Sequence, residues 1–182
     1  MYGMVNEGLR TFIENKHGPD MWAAICKTAD VDATSFERMT SYDDTVTYAL
    51  VGATCEHTGQ SAEDVLKVFG TYWVEFAGGS SFGTFLRLAG NNFVERIKGL
   101  DDMHDSILLS MPHLKPPSFE IEEVGPDTYH LSYYSDRLGL APMVVGLLHG
   151  LADETDEKIE VEQIKAKDDV AAPDVFSVTI LT

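Results

Sequence analysis

The sequence predicts an α+β fold, with a helical N-terminal part over residues 1–115 and a C-terminal four-stranded antiparallel sheet carrying one helix over residues 116–182. Three observations lead there. Apolar residues recur every three to four positions up to about residue 115, the helical period. The period then shortens to two after Pro116. Within the second part, two alternating runs precede one helical stretch and two follow it, giving strand, strand, helix, strand, strand. No internal repeat or low-complexity segment separates the parts, so residues 1–182 are expected to form one domain.

The elements follow in order. Val5, Leu9, Phe12 and Ile13 fall on one helical face. The break at Gly18 precedes Pro19 in a first-turn position, then Trp22, Ile25 and Cys26, a second short helix. After the polar stretch Thr40 to Asp44, the set Val46, Leu50, Ala53 and His57 marks a third. Ser61 and Asp64 resemble a capping box that opens a helix through Val65, Phe69, Trp73 and Phe76, ended by Gly78 and Gly79. Phe82 to Ala89 and Phe93 to Leu100 are shorter helical candidates separated by Gly90 and two asparagines.

Asp101 and Asp102 can cap the next helix, Met103 to Met111, which Pro112 stops. On it His104 shares the apolar side with Ile107, Leu108 and Met111. Phe119, Ile121 and Glu123 then alternate, Gly125-Pro126-Asp127 is a turn, and Tyr129 to Tyr134 returns, so a hairpin is expected. Gly139 to Leu151 reads as a helix with Pro142 near its start and Met143, Leu147, Gly150 and Leu151 on one face. Lys158 to Ile164 and Val175 to Leu181 are the last strands.

Composition narrows the possible functions. Thirteen basic residues against thirty acidic ones give a formal net charge of -17. Such a charge disfavours nucleic acid and anionic membranes, because neither contact would release counterions favourably. Two cysteines, Cys26 and Cys55, exclude a disulfide framework and any Cys-x-x-Cys zinc or redox site. The apolar stretch Leu138 to Ala152 is interrupted by Pro142, His149 and three glycines and is too short to span a membrane. No basic and apolar leader precedes the first helix, and a cytoplasmic protein is expected.

Against this background one strand stands out. Tyr129, Leu131, Tyr133, Ser135 and Arg137 share a side if the strand continues, and that side begins apolar. Burying a guanidinium without an anion costs several kcal/mol or more, while its planar fork fits a carboxylate or phosphate. Tyr133, Ser135 and Arg137 therefore call for a specific anion. His104 raises a second question. A lone histidine on an apolar helix face is usually a packed core residue, and no second ligand stands at zinc spacing. A single axial nitrogen is, however, what a haem iron takes from a protein, and haem brings two carboxylates of its own.

These residues lie within a longer resemblance. The chain resembles the haem-nitric oxide/oxygen binding (H-NOX) family, the haem domain of soluble guanylate cyclases and of stand-alone bacterial gas sensors. The resemblance rests on Met1-Tyr2-Gly3-Met4-Val5-Asn6, Leu100-Asp101-Asp102-Met103-His104-Asp105, Pro116-Pro117-Ser118-Phe119, Tyr133-Tyr134-Ser135-Asp136-Arg137 and Gly139-Leu140-Ala141-Pro142-Met143, in that order. It implies haem b (iron protoporphyrin IX) as cofactor, His104 as the only protein bond to the iron, and Tyr133, Ser135 and Arg137 as a propionate clamp. It also matches Pro116 to a proline that distorts the porphyrin. Pro116 and Pro117 read equally well as a stiff link between the helical and sheet parts.

The resemblance places Val5, Leu9, Trp73, Met143 and Leu147 on the distal side, where the gas binds. Oxygen-holding members have a tyrosine donor at the position of Met143, and methionine cannot donate. A hydrogen bond to a charged acceptor contributes about 1.5 to 3 kcal/mol, so its absence weakens O2 disproportionately. The expected function is a non-enzymatic sensor binding NO, and CO more weakly, at ferrous haem, signalling through a weakened Fe–His104 bond and a change of haem and protein shape. One alternative is an oxygen-binding haem protein with the Trp73 indole N–H as donor, against the reading of Trp73 as core filling. Another is a hydrolase or phosphate-binding enzyme using Arg137 and His104, for which no nucleophile elbow or phosphate loop is present.

Partners implied by the resemblance are a histidine kinase or a cyclic-dinucleotide enzyme. The end at Thr182, just after the last strand, suits a stand-alone sensor or a domain of a longer chain. Asp153, Glu154, Asp156 and Glu157 read either as a docking face or as a solvated acidic loop.

Overall fold

The computed structural model describes residues 1–32, 35–79 and 81–181, with the backbone alone at 81, 82, 85 and 86. The described chain divides into two compact units, Met1–Phe69 and Gly70–Thr182. The division falls inside a helix rather than at the change of period near Pro116. Three helices that precede Pro116 pack among themselves and against the strand that follows it.

In the first unit, α1 (Gly3–His17) and α2 (Pro19–Thr28) are separated by Gly18, and Pro19 occupies the first helical turn, where no N–H is needed. The third helix, α3 (Asp44–Thr58), starts where Asp43 accepts the Thr45 N–H at 2.9 Å. Leu9, Ile13, Ile25 and Leu50 are fully buried. Glu7 accepts two hydrogen bonds from Arg10 at 2.6 and 3.0 Å and the backbone N–H of Phe36 at 3.3 Å. Helix α4 (Ala62–Gly78) runs across the division. Its start is the capping arrangement expected from sequence, with Asp64 N–H donating to Ser61 Oγ at 3.1 Å and Ser61 Oγ to Asp64 Oδ2 at 2.6 Å.

The second unit continues with α5 (Ser81–Ala89), α6 (Phe93–Lys98) and α7 (Leu100–Leu108). Asn92 caps α6 through Glu95 N–H at 2.9 Å. Helix α7 begins and ends three residues earlier than the apolar pattern predicts. Asp101 lies inside its first turn, and its carboxylate is engaged by another element instead of capping.

Strands β1 (Ser118–Gly125), β2 (Thr128–Tyr134), β3 (Lys158–Lys165) and β4 (Asp174–Leu181) form the expected antiparallel sheet, in the order β1-β2-β4-β3. The hairpin turn places Asp127 in the left-handed region with φ 53. Helix α8 (Ala141–Glu154) starts after Gly139, whose φ of 76 suits glycine, so it opens two residues later than predicted.

The core of this unit joins Leu131, Tyr133, Phe176 and Val178 of the sheet to Val144, Leu148 and Leu151 of α8 and to Phe93 and Ile97 of α6. Each large side chain fully buried here contributes about 1.5–3 kcal/mol. The stripe of α8 in this core is Val144, Leu148 and Leu151, with Leu147 packed against it; of the face anticipated from sequence, Leu151 is shared, while Met143 and Gly150 lie on the side toward α4. That side meets the end of α4. A Cβ on Gly70 would stand 2.1 Å from the Met143 carbonyl oxygen, and one on Gly150 would stand 2.9 Å from Val74 Cγ2. Thr71 Oγ1 donates to the Gly146 carbonyl at 3.0 Å across the same crossing. Small residues let the two helix backbones approach this closely.

The far end of α8 is tied to α6. Arg96 donates to Glu154 at 2.6 Å, and Glu157 accepts the Phe93 N–H at 2.6 Å. Of the acidic set at 153–157, these two therefore have internal partners and are not freely solvated side chains.

Candidate functional site

His104 sits on α7, one turn after Asp101. The two are on one helix face, three residues apart. Asp101 Oδ1 accepts the backbone N–H of Phe119 at 3.0 Å, and Oδ2 accepts the Ser118 hydroxyl at 2.7 Å. This carboxylate fastens α7 to the start of β1. The imidazole of His104 then lies against the Phe119 ring, with centroids 6.2 Å apart and planes 24° from parallel. Phe119 in turn meets Tyr133, its partner in the β1–β2 ladder, at 5.4 Å. A ladder of three rings runs from α7 across the hairpin to the first residue of the Tyr-x-Ser-x-Arg triplet.

Nδ1 of His104 is buried and makes no hydrogen bond in the described structure. A buried ring nitrogen without a partner costs free energy that a ligand can return. Burial pushes the imidazole below the usual histidine range, against the opposing pull of Asp101, the Pro117 backbone and Asp105. The ring is thereby favoured in the neutral form that binds metals.

The triplet does not lie wholly on a strand. Strand β2 ends at Tyr134, so Tyr133 is held in the ladder and buried, while Ser135 and Arg137 belong to the loop leading to α8. Ser135 Oγ accepts the Arg137 N–H at 3.1 Å, closing a local turn. Arg137 Nη1 donates to the Lys115 carbonyl at 3.0 Å. A lysine that no sequence pattern singles out completes the loop: Lys167 Nζ donates to the carbonyls of Ser135 and Arg137, each at 2.7 Å.

The remaining site residues are distributed as follows. Met143 and Leu147 are half-buried on the α4-facing side of α8, and Leu147 packs against the core. Trp73 is half-buried three residues after Gly70, its ring 5.8 Å from that of Phe76, which also stacks on Tyr72. On α1, in the other unit, Val5 is half-buried and Leu9 fully buried. Among the described residues, no group of three or more His, Cys, Asp or Glu side chains is placed to hold a metal ion.

The donor set fits a haem. One buried imidazole held in its neutral form suits an axial ligand, and a loop carrying a hydroxyl and a guanidinium at the other end of an aromatic ladder suits carboxylates. Comparison with known proteins agrees. A family model described as Haem-NO-binding matches residues 2–163. The chain is similar to soluble guanylate cyclase gcy-31 of Caenorhabditis elegans, 27% identical over 154 residues that make up 85% of this chain and 22% of that protein. It is likewise similar to gcy-33 of the same organism, 32% identical over 152 residues, 84% of this chain and 16% of that one. The chain thus spans about a fifth of the length of these curated relatives.

Among solved structures, an H-NOX protein from S. oneidensis in the Fe(II)NO ligation state superposes with a TM-score of 0.88 at 17% identity, covering 100% of both chains. The Fe(II) unliganded H-NOX protein from K. algicida gives 0.86 at 17%, covering 100% of this chain and 97% of that one. Fold and site together define a haem-binding gas-sensor domain. The chain belongs to the haem-NO-binding, or H-NOX, family. What it shares with the cyclases is this sensor region alone. No helix among the described residues is long and apolar enough to cross a membrane.

Proposed function

We propose that the chain is a non-enzymatic sensor of NO, with weaker binding of CO, that holds haem b through His104 and through the Tyr133, Ser135 and Arg137 clamp. The observation that carries this reading is the buried His104 nitrogen without a hydrogen bond, at the head of the ring ladder that ends on Tyr133. The haem iron supplies the gas-binding position and a bond to His104 whose strength depends on the gas. The other roles fall to the chain. Asp101 holds α7 on β1, so any change in the pull on His104 is felt at the start of the sheet.

Selectivity follows from what the α4–α8 crossing offers. Met143 supplies bulk and no donor, so a gas whose bound form carries little charge is favoured over O2. Arg137 and Ser135 neutralise and orient the carboxylates without touching the gas, so they govern retention more than preference. The signal passes to a separate protein, such as a histidine kinase or a cyclic-dinucleotide enzyme. Titrating the reduced, haem-loaded protein with NO while following the Soret band tests the reading. A shift to the spectrum of haem that has lost its histidine is expected, and a spectrum that keeps the histidine would remove breakage of the Fe–His104 bond from the signal.

A further inference from the structure

Lys167 stands beyond residue 163, where the family match ends, in the connection between β3 and β4. Its ammonium reaches two carbonyls of one loop, those of Ser135 and Arg137, at 2.7 Å each. These carbonyls follow the end of β2 and belong to no ladder. Two backbone acceptors converging on one charged donor fix the conformation of the segment between them.

The lysine is itself held. Its backbone N–H donates to Asp174 Oδ1 at 3.1 Å, and the same oxygen accepts Gln163 Nε2 at 2.8 Å. Asp174 is buried and pairs with Tyr133 in the β2–β4 ladder. The start of β4 thus anchors the triplet twice, through the ladder at Tyr133 and through Lys167 at Ser135 and Arg137. An unanchored loop would have to be ordered when the carboxylates bind, an entropic cost that a preformed loop avoids.

We propose that Lys167 is a positioning residue for the haem carboxylates: it pre-forms the 135–137 loop, and Asp174 and Gln163 hold the segment that carries it. This rests on the reading of Ser135 and Arg137 as a carboxylate clamp. The β3–β4 connection is then part of the cofactor-holding machinery, though it contributes no group to the iron.

Transfer of haem from the loaded protein to excess apomyoglobin, timed by absorbance, tests this in wild type, Lys167→Met, Lys167→Arg and Arg137→Ala. Loss of the ammonium in Lys167→Met is expected to speed haem loss roughly tenfold, about the worth of one charged hydrogen bond. Lys167→Arg restores a rate near that of wild type, and the ferrous and NO spectra are unchanged in both. Lys167→Gln, expected to act in the same direction, replaces the methionine variant should that one not fold. In Lys167→Met combined with Arg137→Ala the two effects are less than additive, because both act through one loop. Wild-type haem loss in Lys167→Met and Lys167→Gln, with accelerated loss in Arg137→Ala, overturns the role of Lys167 and leaves the clamp intact. Unchanged loss in Arg137→Ala overturns the clamp and this inference with it.

Discussion

The Asp101 carboxylate accepts the backbone N–H of Phe119 at 3.0 Å, one helical turn before the imidazole that stacks on the same phenylalanine. With the Ser118 hydroxyl donating to the same carboxylate, three contacts register α7 on β1, two polar and one aromatic. Asp101→Ala removes both polar ones and leaves a partly buried backbone N–H to find another acceptor. The expected cost is about 1–3 kcal/mol of stability, read from urea unfolding of the haem-loaded protein. A loss within experimental error of zero would show that the ring stack alone sets the register.

His104→Gly tests the axial role directly. The variant should lose haem on a desalting column and retain it when imidazole is added, because the free ring then supplies the missing nitrogen. A merely structural histidine would give a variant whose haem content does not respond to imidazole.

Much of this arrangement was legible in the sequence, for local reasons. Gly125-Pro126-Asp127 marks a hairpin turn whatever surrounds it, and Ser61 with Asp64 marks a helix start. The burial of Tyr133 on its strand and the place of His104 on the apolar side of its helix were legible from periodicity alone. The end of β2 at Tyr134 was not, because alternation continues past the last ladder partners and the neighbouring strands β1 and β4 decide where pairing stops. Nor was Lys167, which meets Ser135 across 32 residues from a polar stretch that looks like any surface loop. Glu154 and Glu157 escaped for the same reason: their partners, Arg96 and Phe93 N–H, lie about sixty residues away, at separations of 58 and 64.

The α4–α8 crossing predicts opposite outcomes for two glycines. At Gly70 an added methyl group would meet the Met143 carbonyl oxygen at 2.1 Å and the Leu147 nitrogen at 2.9 Å, both backbone atoms that cannot swing away. Gly70→Ala should cost about 1–3 kcal/mol by forcing the helices apart. At Gly52, inside α3, nothing lies within 4 Å. Gly52→Ala should stabilise by roughly 0.5–1 kcal/mol through helix propensity alone. Thermal unfolding of the two variants side by side checks both signs.

Glu7 gives a pH-dependent prediction. Burial pushes its carboxyl up, but the hydrogen bonds from Arg10 and from Phe36 N–H outweigh this and hold its pKa below the ordinary carboxylate value. A pKa lowered by folding contributes stability that is complete above the unfolded value and is lost as pH falls through the folded one. The gap in stability between wild type and Glu7→Gln should therefore be widest near neutral pH and close on acidification below about pH 4. Urea midpoints at several pH values check this, and a gap independent of pH would show that the Arg10 pairing contributes no linkage.

Met143→Tyr asks whether the distal reading is right. Met143 occupies the α4-facing side of α8, with its carbonyl against Gly70 and its side chain half-buried. Tyrosine there adds a phenolic donor, and a hydrogen bond to a charged acceptor contributes about 1.5–3 kcal/mol, on the order of 10 to 150-fold in affinity. In air, ferrous wild-type protein should show no lasting oxy spectrum, while Met143→Tyr should hold O2 long enough for one to be recorded, with little change in NO binding. A stable oxy form of the wild type would point instead to the indole N–H of Trp73 as donor, and Trp73→Phe should then abolish it. An oxy form that survives Trp73→Phe would place the donor on a residue outside the α4–α8 crossing.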